Sequence, residues 1–452
     1  MEEVYARCAG LDVHKRSVVA CRARPGSGGG RERETRSFGT TTGELLELVD
    51  WLHAWDCSHV AMESTGSYWK PVYNLLEGEF EVLVVNAQHV KRVPGRKTDV
   101  GDAEWLSELL EHGLLQGSFI PPVAQRDLRD LTRYRRALVE ERAREVNRVQ
   151  KLLESGNIKL ASVATDILGA SGRAMLAALV AGDMEPAAMA DLARGRLRTK
   201  MLSLEQALTG RVRPHHRFML AQYLTHIDFL DEQIGAVSEQ IAEQLAALQP
   251  PVDAPNASGG SSAPSGRPDA TSSDHGTETQ PGGPMAATDA VELLTTIPGV
   301  DRRTAEVIVA ELGTDMRRFP TGSHAAAWAG MAPGNNESGG KHYSGRVRQG
   351  NHALRQALVQ AAWAAARTKS TYLAAQYHRL AGRRGKKRAA VAVGHTILVI
   401  AYHMLRRHEP YRDLGANYFD ERKKDSIVNR LMRRIQKLGY AVSLQPSPAA
   451  AA

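Results

Sequence analysis

Three observations predict a mixed α/β domain at the N-terminus and a mostly α remainder. Three short strand-like segments joined by turns precede a helix, strand, helix, strand, helix order. Charged helical stripes then run from Gln125 to about Gln249. A Pro-, Gly-, Ser- and Thr-rich stretch separates these from a last third dense in lysine and arginine. An antiparallel meander followed by helix-linked strands makes a mixed sheet.

The elements follow in order. Residues 4–13 and 17–24 read as strands, the second running into the turn Pro25-Gly26-Ser27-Gly28, and Glu34–Phe38 returns. Thr42 is placed to cap a helix over 43–55, with Leu45, Leu46, Leu48, Val49 and Leu52 on its buried side. A strand at 59–63, a helix at 67–78, a strand at 81–86 and a helix after Thr98 complete the layer. This order resembles the RNase H-like fold, whose acids lie on the first strand, the fourth strand and the closing helix.

Four carboxylates fall in those slots. Asp12 ends the apolar run Cys8–Leu11, and Glu63 ends His59–Met62. Asp99 and Asp102 stand three apart in Lys97-Thr98-Asp99-Val100-Gly101-Asp102, so a helix would project both from one face. Like charges so placed repel unless a cation lies between them. Two strand-end acids and two helix acids can hold a pair of divalent metals, and hard Mg²⁺ ions suit carboxylate oxygens. His14 and Lys15 follow at the strand turn, either contacting a phosphate or closing the turn.

The 452 residues suffice for two or three domains with real cores, and 42% hydrophobic with 24% charged residues is a globular profile. Apolar runs break before the length of a membrane span, and Glu2 and Glu3 do not open a secretory signal. Three cysteines without paired spacing indicate neither zinc ligands nor a disulfide frame, and point to a reducing cytoplasm. The net charge of +8 is unevenly spread. From Asp289 onward there are 26 basic and 12 acidic residues, leaving 32 basic and 38 acidic before it. The basic excess belongs to the last third and suggests a polyanion partner there.

Leu128, Leu131, Tyr134, Leu138, Val146, Val149, Leu152 and Leu153 make an apolar stripe on a long amphipathic helix, a packing or dimerisation element. A second long helix at about 215–248 reads as its antiparallel partner. Residues 250–288 cannot bury enough surface to order themselves and read as a disordered linker, and Gln445–Ala452 as a loose tail. The expected division is 1–120, 121–249 (helical coiled coil), 250–288, 289–415 and 416–452, the last a basic helix and tail.

Beyond the linker, Ile297-Pro298-Gly299-Val300-Asp301-Arg302-Arg303 resembles a helix–hairpin–helix, which offers backbone N–H groups to a DNA phosphate. Asp301 stands where that hairpin usually has a second glycine, and a carboxylate there weakens phosphate contact. Ala329-Gly330-Met331-Ala332-Pro333, Asn336-Glu337-Ser338-Gly339-Gly340-Lys341 and Gly350-Asn351-His352-Ala353-Leu354-Arg355 follow. With Leu11–Lys15, Met62–Gly66, Lys97–Ala103 and Ile297–Gly299, these motifs resemble insertion-sequence transposases of the 110 type. The likeness covers about residues 4–410 outside the linker, in the family's order.

That resemblance implies a RuvC-like Asp-Glu-Asp-Asp domain, a coiled-coil insertion, and a transposase domain whose serine corresponds to Ser338. It also implies recombination of donor and target DNA guided by a structured, element-encoded RNA, with protomers assembled as a dimer or tetramer. Asp12, Glu63, Asp99 and Asp102 would ligate two Mg²⁺ ions, and Ser338 would form a phosphoserine link to DNA. Ser344 and Tyr343 are neighbouring hydroxyls, and Ser338 is chosen through the family alone. Lys341, Arg346, Arg348 and Arg355, with Arg302 and Arg303, are the expected nucleic-acid contacts. The acids and the serine lie on separate domains and are expected to act as one composite site. The alternative is a RuvC-like metal-dependent nuclease that hydrolyses branched DNA without a covalent intermediate. A second rival is a nucleic-acid-binding protein without catalysis.

Overall fold

The computed structural model describes residues 4–86, 101–248, 283–332 and 350–443, apart from Ser27, Gly29 and Thr65. For Asn336–Ser338 and Lys341–Ser344 it describes the backbone. The chain divides into two compact units, Met1–Pro122 and Val123–Ala452.

The first unit is built on a five-stranded sheet in the order β3-β2-β1-β4-β5. Its elements are β1 (Cys8–Val13), β2 (Ser17–Pro25), β3 (Arg31–Gly39), α1 (Thr42–His53), β4 (His59–Glu63), α2 (Trp69–Leu76), β5 (Glu81–Val85) and α3 (Asp102–Glu111). The meander β1–β3 is antiparallel, whereas β4 joins β1 in parallel and β5 joins β4 in parallel. A two-residue side-chain period sends Ala9, Leu11, Val13, Val60 and Met62 to one face, where α1 and α2 bury them with Leu48, Leu52, Val72 and Leu76. The other face carries Cys8, Ala23 and Ala61, which pack with Leu110 of α3.

Two local expectations for α1 are corrected. The cap is Thr41 rather than Thr42: the Glu44 carboxylate accepts from the Thr41 N–H at 3.2 Å and from its hydroxyl at 2.6 Å. Leu46 is exposed, because the apolar stripe is narrower than the cluster of leucines suggests.

The second unit opens with α4 (Val123–Ser155). Four short helices follow: α5 (Leu160–Val163), α6 (Ala170–Ala181), α7 (Pro186–Ala190) and α8 (Met201–Leu208). The long α9 (Pro214–Ala247) then runs back along α4. Leu138 packs with Leu230 and Ile234, Leu128 lies in one core with Ile241 and Leu245, and Val149 lies in another with Leu220 and Leu224. The pairing is therefore antiparallel, as the sequence suggests, and Arg142 to Asp231 at 2.9 Å crosses it.

The helices that follow are α10 (Ala287–Thr295), α11 (Arg302–Leu312), α12 (Gly322–Trp328), α13 (His352–Ala365), α14 (Tyr372–Arg384), α15 (Lys386–Arg407), α16 (Tyr418–Glu421) and α17 (Lys424–Lys437). A small antiparallel hairpin, β6 (Asn336–Ser338) and β7 (Lys341–Ser344), lies between α12 and α13. Helix α15 is long and apolar enough to cross a membrane by length and composition, a longer apolar stretch than the sequence reading allowed. Its Val393, Ile397, Leu398, Ala401 and Tyr402 are wholly buried among α10 to α14, which makes it the spine of a core. That core also takes in Leu128, Ile241 and Leu245 from the long helices. The linker expected at 250–288 falls mainly on 249–282, outside the described residues, while α10 already begins at Ala287.

Candidate active site

Asp12 and Glu63 occupy matched ends of adjacent strands. The parallel register pairs Leu11 with Met62, so each acid is the next residue on its strand. Neighbouring strands lie about 4.8 Å apart, which brings the two carboxylates to one edge of the sheet. Leu11 and Met62 point into the core under α1 and α2, and alternation turns Asp12 and Glu63 to the opposite face. Both are half-buried.

Helix α3 covers that same face, and Gly10 sets its approach. A β-carbon at Gly10 would stand 2.3 Å from the Ala103 carbonyl oxygen and 2.4 Å from the Ser107 nitrogen. Only glycine lets the first turn of α3 rest on β1 two residues before Asp12. Asp102 is the first residue of α3 and is exposed, at the helix end where backbone N–H groups favour negative charge. The other end is clamped. Glu111, almost fully buried, takes Arg31 at 3.1 Å and Arg33 at 3.0 Å, while Thr35 donates to Glu104 at 2.8 Å. Strand β3 thereby holds α3 in place over the acids.

Of the two readings of His14, the structure shows the turn. Its backbone N–H donates to the Ser17 carbonyl at 2.9 Å and closes the β1–β2 turn. Its Nε2 lies 3.1 Å from Asp12 Oδ2. The cysteines take no part: all three are buried free thiols, and burial pushes Cys8 up to about 11 and Cys57 up to about 12.

Among the described residues, no three His, Cys, Asp or Glu side chains stand close enough together to hold a metal. Asp99, the fourth expected ligand, lies outside the described residues.

In the second unit, Ser338 is the last residue of β6, and its backbone pairs with Lys341 of β7. Arg346 and Arg348 lie outside the described residues. Arg355 is half-buried on α13, one turn beyond the Asn351 cap, and its backbone N–H donates to the Asn351 carbonyl at 3.1 Å. Arg303 is exposed on α11, and Arg302 reaches Glu306 at 3.2 Å. The turn before them faces inward through Ile297 and Val300, and Asp301 caps α11 by accepting from the Thr304 N–H at 2.8 Å. A cap explains an aspartate there without any phosphate.

Two basic surfaces were not foreseen as units. An open groove of about 660 Å³ is lined by Arg133, Arg136, Trp328, Asn351 and His352. A second, of about 780 Å³, gathers Arg379, Arg383, Lys423, Lys424 and Arg430 with Asp420 and Glu421. Both lie in the unit that carries the basic excess.

Comparison with known proteins places both units among transposases. Residues 9–158 match a family model described as a transposase, of the DEDD class of IS110 elements, and residues 291–378 match the Transposase IS116/IS110/IS902 family. The chain belongs to the IS110 family of transposases. It is also similar to the Insertion element IS110 uncharacterized 43.6 kDa protein of Streptomyces coelicolor, at 41% identity over 73 residues. That match spans 16% of this chain and 18% of the relative.

Proposed function

We propose that this protein cleaves and rejoins DNA strands at the ends of an insertion sequence, through a covalent link between DNA and Ser338. Asp12, Glu63, Asp99 and Asp102 would hold Mg²⁺, most simply as a pair, which would stabilise charge on the attacking and leaving oxygens. The observation that carries this reading is the placing of Asp12 and Glu63 at matched ends of adjacent strands, with the first turns of α3 packed on the same face at Gly10. Like charges gathered at such an edge call for a cation and an anionic substrate.

The chain's own residues supply the rest. A serine hydroxyl is a weak nucleophile until its proton is drawn off, and His14 beside Asp12 is a group that can move a proton at this edge. Cleavage by serine keeps the phosphodiester energy in the protein–DNA bond, so rejoining needs no outside energy source. Lys341, Arg346, Arg348 and Arg355 would offset phosphate charge near the serine, and the two basic grooves would follow the nucleic-acid backbone. DNA ends, a target duplex and a structured element-encoded RNA are the proposed partners. The antiparallel α4–α9 pair, read as a coiled coil, is the proposed route to a dimer or tetramer.

The test is a denaturing gel of protein incubated with Mg²⁺, labelled element-end DNA and the adjacent non-coding transcript. A protein–DNA band that needs Ser338, Asp102 and the RNA supports the proposal. Free cleaved ends that persist in Ser338→Ala would establish a metal-dependent nuclease instead.

A further inference from the structure

Glu311 on α11 is completely buried, yet it is met by charged and polar groups from two other elements. From α4, Arg133 grips its oxygens at 2.8 and 3.0 Å, and Arg129 Nε lies 3.2 Å from Oε2. From the start of α13, Asn351 donates Nδ2–H to Oε2 at 2.6 Å. Burial draws Arg129 down to about 10 while Glu311 opposes the shift, so the guanidinium is charged at neutral pH. For stability alone an apolar cluster of similar volume would serve as well. What the charged cluster adds is direction.

Asn351 makes a second bond that fixes its identity. Its Oδ1 accepts from the Leu354 N–H at 3.0 Å and caps α13. One amide therefore gives an acceptor to the helix and a donor to Glu311. Aspartate would cap equally well but would set a second carboxylate against Glu311.

Immediately before Asn351 the chain closes on itself. A β-carbon at Gly350 would stand 2.4 Å from the Gly330 nitrogen and 2.5 Å from its Cα, so the two backbones touch. Between these two glycines lie β6 and β7, with Ser338 at the end of β6. The two ends of the segment that carries Ser338 thus meet at Gly330 and Gly350, beside Asn351, which Glu311 links to two arginines of α4.

We infer that Glu311 and Asn351 are positioning residues that latch the base of the Ser338 hairpin to α4 and so set the reach of the serine. This rests on the proposal that Ser338 is the nucleophile. A displacement of about 1 Å at a reacting group costs on the order of a hundredfold in rate.

The latch can be broken and remade. Asn351→Asp keeps the cap and breaks the bond to Glu311. It should melt close to wild type, retain DNA, and form the serine adduct about a hundredfold more slowly. Amide exchange across residues 336–344 should accelerate at least about tenfold. Adding Glu311→Gln exchanges donor and acceptor and leaves one negative charge facing Arg129 and Arg133. This double variant should recover both readouts to within about fivefold. Asn351→Ser, which caps without a carboxylate, is the second variant should Asn351→Asp fail to fold.

Wild-type exchange and adduct rates in the folded single variant would overturn the inference. So would a natively melting double variant that rescues neither. If wild type forms no serine adduct, the serine proposal fails by itself, and the exchange rates alone then decide whether the latch exists.

Discussion

The acid edge of the first unit and the latch of the second are both charge clusters, built on opposite plans. Asp12 and Glu63 bring like charges to matched ends of adjacent strands, and Gly10 and the clamp on Glu111 hold α3, which opens with Asp102, against the same face. Glu311 is a single carboxylate sunk among two guanidiniums and an amide, with its charge already answered inside the fold. A fold that retains the first arrangement leaves charge to be met from outside, which is what a catalytic edge needs. The second arrangement is complete in itself and can only hold things in place. Removing an acid should therefore hurt chemistry alone at the first cluster, and at the second both stability and, through the Ser338 segment, adduct formation.

The largest effect expected is on chemistry. Glu63→Gln and Asp102→Ala should each lower strand cleavage by roughly a thousandfold, because they remove charge that acts on the reacting phosphate. Neither should move the melting temperature by more than about 2 °C, since exposed or half-exposed acids contribute little to folding. A large melting shift with cleavage intact would erase the contrast.

Glu311→Ala should also cost about 3–5 kcal/mol of stability, because the largely buried Arg129 is left without its carboxylate. Urea denaturation of the full chain reads this directly, with Glu311→Gln falling between. Gly10→Ala comes next, at about 1–3 kcal/mol, because its methyl group must push α3 off β1. It too should damage both properties, since α3 carries Asp102. Cleavage unchanged in a destabilised Gly10→Ala protein would show that the close approach serves packing alone.

A further effect, outside the two clusters, is a pH dependence of the first unit. Cys8 and Cys57 are raised above the ordinary thiol value of 9.0, chiefly by burial, to about 11 and about 12. The unfolded chain therefore loses these protons first as pH rises, and stability falls from about pH 9 to pH 12. The slope is at most about 1.4 kcal/mol per pH unit for each thiol. Replacing both with alanine should flatten that part of the curve, as denaturant midpoints at pH 8 and pH 11 would show.

The two clusters also differ in how far the sequence revealed them. Asp12 and Glu63 each end an apolar strand run, and Asp102 opens a helix, so short-range pattern was enough to place them. The five strands and the long helices were legible for the same reason. The Thr41 cap and the exposed Leu46 were missed by one position each, within the slack of a helical stripe. The latch left no such trace. Glu311 sits in an ordinary amphipathic helix, and Arg129 and Arg133 lie in a stripe of alternating sign that reads as a solvated or packing face. Their meeting depends on tertiary packing across more than half of the second unit. The side chains of Asp99 and Ser338 lie outside the described residues, and their roles stand on the acid edge and the family.

The most direct test is peptide mapping by mass spectrometry after reaction with Mg²⁺, element-end DNA and the element's RNA. A phosphodiester-linked nucleotide on Ser338, absent from Glu63→Gln, is the predicted result. Cleaved DNA with every serine and tyrosine hydroxyl unmodified would assign the attack to water and contradict the account.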